Sequence, residues 1–380
     1  MMILTVNAGS SSIRLAAFAG AADGLRGIAA HHGDIAPASE EDVLRAFIGQ
    51  HALRDIRAVA HRVVHGGDSF VRPCLLEPAV EREIERLSTL APLHNPPALR
   101  WLRACRALLG ADVPQVAVFD TAFYAELPEV ARTYALPGEA CRRHAIRRYG
   151  FHGIAHQAMW RRWRELRPAT GKSERVISLQ LGAGCSVSAV HDGKAVDTSM
   201  GFSPLEGLVM ATRCGDVDPG LLLHLQRAEN LSVTQLETLL NEKSGLYGIS
   251  GLSGDMRALL ASHEPAARLA IDVYTYRVRK YIGAYMAALG GVDAILIGGG
   301  VGEHAPSIRE AVLARMEWCG IVLDEDRNRG AQTEARISRD DSAVDVRVIP
   351  VDEAAILAQE ALRLTRRDTT PTPISEEGQS

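Results

Sequence analysis

The residues best suited to chemistry lie where an apolar run, Ile3-Leu4-Thr5-Val6, breaks into Asn7-Ala8-Gly9-Ser10-Ser11-Ser12-Ile13-Arg14. Small residues let backbone N–H groups approach a phosphate, hydroxyls add donors, and a cation offsets charge. The same letters also suit a Gly/Ser hairpin turn, so this segment alone leaves both readings open. A second apolar run, Val176-Ile177-Ser178-Leu179, leads into Gln180-Leu181-Gly182-Ala183-Gly184-Cys185-Ser186, another polar residue followed by a glycine-rich turn. A third, Ala294-Ile295-Leu296-Ile297, leads into Gly298-Gly299-Gly300-Val301-Gly302-Glu303-His304. A strand, a glycine run and a helix start recur where backbone amides meet a nucleotide.

These turns need a scaffold that alternates strands and helices, and the rest of the chain reads that way. Strand-like runs also occur at Ala58-Val59-Ala60, at Val116-Ala117-Val118-Phe119 and from Val344 to Val351, and helical patterns around Glu81 to Leu90, Ala98 to Leu109 and Ala266 to Leu289. At 380 residues the chain has room for two domains. Its 47% hydrophobic and 23% charged content is that of a globular protein, and a net charge of −4 gives no reason to expect nucleic acid or an anionic membrane as partner. The start has no basic region before its apolar run, and no apolar stretch reaches the ~20 residues of a membrane span, so a cytoplasmic protein is expected. Six cysteines without a Cys-x-x-Cys pair point to reduced thiols, not to a disulfide framework or structural zinc. Residues 368–380, rich in Thr, Pro, Ser and Glu, are expected to be disordered.

Five further segments follow in order: Ala60-His61-Arg62-Val63-Val64-His65-Gly66-Gly67, Ala91-Pro92-Leu93-His94-Asn95-Pro96-Pro97, Phe119-Asp120-Thr121-Ala122-Phe123, Arg148-Tyr149-Gly150-Phe151-His152-Gly153 and Ala211-Thr212-Arg213-Cys214-Gly215-Asp216-Val217-Asp218-Pro219-Gly220. With the opening Asn-x-Gly-Ser-Ser-Ser, this series closely resembles the acetate kinase family, from Ile3 to about Gln359. The resemblance implies an α/β, two-domain actin-like ATPase (ribonuclease H-like) fold with a cleft between the domains. Residues 1–120, completed by a C-terminal helix over 353–367, would form the first domain and 121–352 the second. It implies reversible phosphoryl transfer between ATP and acetate, giving ADP and acetyl phosphate, with Mg²⁺ or Mn²⁺, in a homodimer. Such a reaction gathers several anionic oxygens, so catalysis is mostly positioning plus cationic stabilisation.

Residue by residue, Arg62 and Arg213 match the family's two active-site arginines, one suited to clamp the carboxylate and one to neutralise the transferring group. His152 matches a histidine that hydrogen-bonds the transferring phosphoryl group, and His94 a second active-site histidine. Asp120 takes the role of orienting the second arginine or the reacting carboxyl; capping a following helix is the plainer reading. Val64, Leu93, Phe151 and Pro204 match a small apolar pocket for the acyl group. Asn7, Ser10, Ser12, Arg14, Gln180, Gly182, Gly184, Gly298, Gly299, Gly300 and Gly302 fall to the nucleotide, and Asn7 and Glu353 to the metal. His61 and His65, and His152 and His156, have the i, i+4 spacing of helical zinc ligands, but no glutamate follows the first histidine of either pair.

Four positions depart from the family pattern. Arg14 stands for lysine, Tyr124 for histidine, and Gln180 and Ala183 replace the histidine and asparagine of His-Leu-Gly-Asn-Gly. The second turn thereby loses side-chain donors while keeping its backbone amides. This leaves propionate or another short acid, pyrophosphate as donor, or a non-catalytic nucleotide-binding paralogue as alternatives.

Overall fold

The structure, a computed structural model, describes residues 1–9, 12–21, 24–34, 39–167 and 173–367. The expected disordered tail, 368–380, and the candidate Ser10 lie outside the described residues. The chain divides into two compact units, one from residues 1–122 with the segment beginning at Glu353, the other Phe123–Asp352.

In the first unit the opening apolar run forms β1 (Met2–Ala8), which turns back into β2 (Ser12–Ala21), itself paired antiparallel with β3 (Gly24–Asp34). On its other side β1 runs parallel to β4 (Ile56–Val63), and β4 parallel to β6 (Gln115–Phe119). The short β5 (Cys74–Leu75) closes that edge antiparallel to β6, giving the order β3-β2-β1-β4-β6-β5. Ile3 to Ala8 are all buried, as in a strand covered on both faces. Leu4, Val6, Ile13, Leu15 and Val59 pack with Leu44 and Phe47 of the helix Glu40–Gln50 and Trp101 and Cys105 of the helix Asn95–Leu109. The helix Glu353–Arg367 packs on β1, β4 and β6.

The second unit repeats this plan. β7 (Arg175–Leu181) turns back into β8 (Cys185–His191), which pairs antiparallel with β9 (Lys194–Thr198). β7 runs parallel to β10 (Ala294–Gly298), β10 parallel to β12 (Asp345–Val348), and β11 (Ala335–Arg336) closes the edge antiparallel to β12. The order β11-β12-β10-β7-β8-β9 is that of the first sheet read from the other end, strand for strand in direction. The faint echo between the two glycine-rich turns is therefore an echo of whole sheets. Helix Gly153–Glu165 packs on β7 and β10 through Met159 and Trp163, and the long helix Pro265–Leu289 packs on β7 and β8.

Among the described residues no helix is long and apolar enough to cross a membrane, and all six cysteines are free thiols.

Candidate active site

Parallel strands β1, β4 and β6 end side by side, and open α/β sheets place ligands at such carboxyl ends. Their last residues bring Asn7, Arg62 and Asp120 together. Asp120, fully buried, opens the 3₁₀ turn Asp120–Tyr124 directly after β6. Arg62 Nη2 donates to Asp120 Oδ2 at 2.6 Å and Nε to the same oxygen at 3.1 Å, while Nη1 donates to Asn7 Oδ1 at 3.1 Å. Asn7 Nδ2 in turn donates to Glu353 Oε2 at 2.6 Å. Burial works against the charge of Arg62, but Asp120 and then Glu353 outweigh it and raise the guanidinium pKa. Three of its five N–H groups are engaged by Asp120 and Asn7, which leaves one on each terminal nitrogen of the fork. Asp120 thus holds the first arginine, a partner the sequence had not assigned to it.

The flanking letters of these motifs are the joinery. Asn95, the first helical residue after His94, accepts from the His65 N–H at 3.1 Å and donates to the His65 carbonyl at 3.0 Å. Thr121 Oγ1 accepts from the Gly66 N–H at 2.9 Å. Three separate motifs are thereby tied into one loop cluster around Arg62. His61 bonds Gln115 through Nε2 at 2.6 Å, and His65 Nδ1 accepts from the Gly67 N–H at 3.0 Å. His61 lies in the strand β4, so the i, i+4 spacing does not put this pair on one helical face. Leu93 is 48% exposed whereas Val64 is buried. The half-buried Ser12 accepts the Gly9 N–H at 2.8 Å, and exposed Arg14 lies opposite Asn7 in the β1–β2 register.

In the second unit the turn between β7 and β8 is clipped by Gly182 N–H to Gly184 O at 3.1 Å and by the Cys185 thiol to Gly182 O at 3.1 Å. A Cβ at Gly184 would lie 3.1 Å from Arg213 Nη2 and 3.3 Å from His152 Nε2. Glycine there lets the arginine and the histidine reach the same turn. Arg213 Nη1 donates to Pro204 O at 2.7 Å. His152 sits at φ 58°, ψ 23° ahead of the helix Gly153–Glu165, an unusual conformation for a side-chain-bearing residue. The chain leading to it is tied down: Tyr124 Oη donates to Phe151 O at 2.9 Å, and Arg148 bonds Glu206 at 2.5 Å. His152 Nδ1 meets Ser186 Oγ at 2.9 Å, and His156 Nε2 meets the same oxygen at 2.8 Å. Both histidines are thus engaged by one serine, and among the described residues no group of three His, Cys, Asp or Glu could hold a metal.

A family model described as the Acetokinase family matches residues 25–359. The chain belongs to this family. It is 47% identical to an acetate kinase of Chloroherpeton thalassium over 325 residues, 84% of this chain and 78% of the relative. A solved Porphyromonas gingivalis acetate kinase superposes with a TM-score of 0.87 at 37% identity, covering 96% of this chain and 99% of the other. A solved Francisella tularensis propionate kinase does so with 0.87 at 34% identity, covering 96% and 99%. This acetokinase therefore has the two-domain α/β fold that the motif series implies, each sheet repeating the other's strand order.

The family departures have structural consequences. Tyr124 takes a buried place where its hydroxyl reaches both Phe151 O and Ser188 Oγ, the latter at 2.8 Å. Gln180 Oε1 is buried without a hydrogen-bond partner, which marks the second turn as incomplete in its polar contacts. In the third glycine run, a Cβ on Gly298 would meet Met159 Sδ at 2.6 Å, and at Gly299, with φ 78°, a Cβ would lie 2.6 Å from the Leu181 carbonyl oxygen. A Cβ on Gly302 would lie 2.9 Å from Ile297, whereas Gly300 is exposed and a Cβ there would meet nothing within 4 Å. Glu303 Oε1 already accepts the Gly299 N–H at 2.9 Å. Three of the four glycines are packing requirements, and at Gly300 alone there is room for a side chain.

Proposed function

We propose that this acetokinase passes a phosphoryl group between ATP and a short carboxylate, acetate first, to give ADP and acyl phosphate. The observation that carries the reading is the approach of Arg213 and His152 to Gly184, which puts a cation and an imidazole at a phosphate-type turn. The Asn7–Arg62–Asp120 cluster supports the other half of the reaction. Asp120 takes one edge of the Arg62 fork, and the remaining N–H groups suit the carboxylate of the acid.

In the forward direction a carboxylate oxygen attacks the γ-phosphorus as the bond to the ADP oxygen breaks. Arg62 holds the acid, Arg213 offsets charge on the equatorial oxygens, and His152 gives them a hydrogen bond. Gly182 and Gly184 form a glycine-rich turn suited to phosphate, Gly300 offers an approach to the adenosine side, and Asn7, Ser12 and Arg14 in the first unit serve the nucleotide as well. For the alkyl group of the acid the reading uses Val64 and Leu93 of the first unit and Phe151 and Pro204 of the second, and His94 follows Leu93 in sequence.

Glu353 fits a divalent metal by donor chemistry. It is a largely buried carboxylate, 9% exposed, aligned by Asn7, and magnesium takes one or two carboxylates alongside phosphate oxygens and water. When bound, the metal would neutralise charge on the nucleotide phosphates.

Likeness to a propionate kinase favours propionate as the second reading. One methylene is worth ~1–3 kcal/mol in such a pocket, so the two acids differ by degree. The test is acyl phosphate formation trapped with hydroxylamine, using ATP, Mg²⁺ and acids from formate to butyrate. Acid-dependent product with acetate highest in kcat/KM is expected, and propionate highest would install the second reading. Nucleotide binding with no product from any acid would overturn both.

A further inference from the structure

His156 and two serines have no place in the reaction just described, yet they form a chain that ends on His152. Ser178 Oγ lies 2.9 Å from His156 Nδ1, Ser186 Oγ 2.8 Å from His156 Nε2, and Ser186 Oγ 2.9 Å from His152 Nδ1. Ser178, His156 and Ser186 are fully buried. We propose that Ser178, His156 and Ser186 form a directional hydrogen-bond relay that holds His152 as its neutral Nε2–H tautomer, a hydrogen-bond donor at the phosphate turn. The tautomer stands by itself; its use toward a transferring phosphoryl group rests on the function proposed above.

Direction is decided at the far end. Each hydroxyl has one proton to donate. The Ser178 proton has two acceptors in reach, His156 Nδ1 at 2.9 Å and the thioether sulfur of Met159 at 3.9 Å. An imidazole nitrogen at the shorter distance is much the better acceptor, since a thioether accepts weakly. His156 Nδ1 is therefore unprotonated. Burial pushes the pKa of His156 down to about 3, so the ring carries a single proton, which must then sit on Nε2. That N–H donates to Ser186 Oγ, and the Ser186 hydroxyl donates onward to His152 Nδ1. His152 Nδ1 is an acceptor, and its proton resides on Nε2, the atom beside Gly184 and Arg213 Nη2.

The consequence is specific. An imidazole with a lone pair on Nε2 would repel phosphate oxygens, whereas the Nε2–H form donates to them without carrying charge. Ser186, His156 and Ser178 are positioning residues in this scheme, since none of them is placed against substrate.

The test reads the tautomer directly. In protein with ¹⁵N-labelled histidine, the His152 ring nitrogens are assigned by their disappearance in His152→Asn. Nε2 should show the shift of a protonated nitrogen and Nδ1 that of a bare acceptor at neutral pH. In Ser186→Ala the two shifts should move toward each other as the forms interconvert, and kcat should fall about tenfold, the scale of one lost hydrogen bond. KM for ATP and for the acid should stay within about twofold, and Ser186→Thr should restore both spectrum and kcat. If Ser186→Ala does not fold, Ser178→Ala, one imidazole further away, should give the same spectral change. A protonated Nδ1 in the wild-type protein, or His152 shifts unmoved in the folded serine variants, would overturn the proposal. The spectra need no turnover, so a wrong substrate assignment would not imitate a wrong tautomer.

Discussion

Arg62 is nearly buried, its side chain 14% exposed, against an Asp120 that is wholly buried. Removing one partner of such a pair leaves the other charge unpaired, at a cost of roughly 3–5 kcal/mol. Arg62→Ala would therefore confuse lost binding with lost folding, and Arg62→Lys is the cleaner probe. Lysine keeps a charge beside Asp120 but lacks the planar fork. We expect the lysine variant to remain folded while KM for the acid rises on the order of 10²-fold, the equivalent of ~3 kcal/mol. Steady-state kinetics at saturating ATP checks this, and an unchanged KM would remove Arg62 as the carboxylate clamp. Arg62 could be found in the sequence because its flanks, His61 and the Val63 to Gly67 run, are part of a recognisable motif. The contacts of Ser186 and Tyr124 could not. A serine at the start of an apolar strand and a tyrosine after Ala-Phe show no partner until folding brings them to His152 and Phe151.

At the scale of elements, runs with strong periodicity were readable and composite ones were not. The apolar runs at Ile3, Ala58, Val116, Val176 and Ala294 all lie in the parallel strands of the two sheets. The pattern at Glu81 to Leu90 resolves into a helix, Pro78–Arg86, and a 3₁₀ turn, Leu87–Thr89. The run from Val344 to Val351 contributes only Asp345–Val348 as strand, because Pro350 ends the ladder there. β2 is rich in Ala and Gly and has little strand propensity of its own; pairing with β1 and β3 makes it a strand.

The parallel strand β4 also carries a consequence for pH. Burial pushes His61 down to about 4, despite an opposing hydrogen bond to Gln115, and His156 is pushed down to about 3. Unfolded, each imidazole takes up its proton near pH 6.5. Between that pH and the depressed folded value, the unfolded chain binds more protons, so stability falls as pH drops, by ~1.4 kcal/mol per pH unit for each histidine. Above about pH 7 both forms are neutral and these groups contribute no slope. Urea unfolding from pH 8 to 5 should be flat down to about 7 and then decline steeply. A level curve from 7 to 5 would show that these rings are not buried neutral.

The whole molecule is one sheet plan used twice, and the two copies are equipped differently. Asn7 and Arg14 face each other across the β1–β2 pair, and Gln180 and Ser186 occupy the corresponding positions of β7–β8. Where the first copy has a cation, the second has the serine that holds His152. The second copy also carries an insertion with no counterpart in the first. Asp218, accepting the Gly220 N–H at 2.8 Å, and Pro219 start the helix Pro219–Ala228, and a Ser232–Gln235 capping box starts Val233–Glu242. Local signals build both helices, yet neither buries a single residue. Leu221, Leu223 and Val233 are 45%, 53% and 73% exposed. Ten-residue helices owe most of their stability to a packed face, so a pair without one is under-supported in the single chain. A second copy of the chain, as the family resemblance implies, would supply the missing cover. Sedimentation equilibrium at micromolar protein should return about twice 41.0 kDa. Leu223→Asp combined with Val233→Asp, both on this exposed hairpin, should shift the mass toward the monomer without changing the Arg62 or His152 clusters. A monomeric wild-type chain would refute the dimer, and a dimer untouched by the double variant would move its interface elsewhere on the surface.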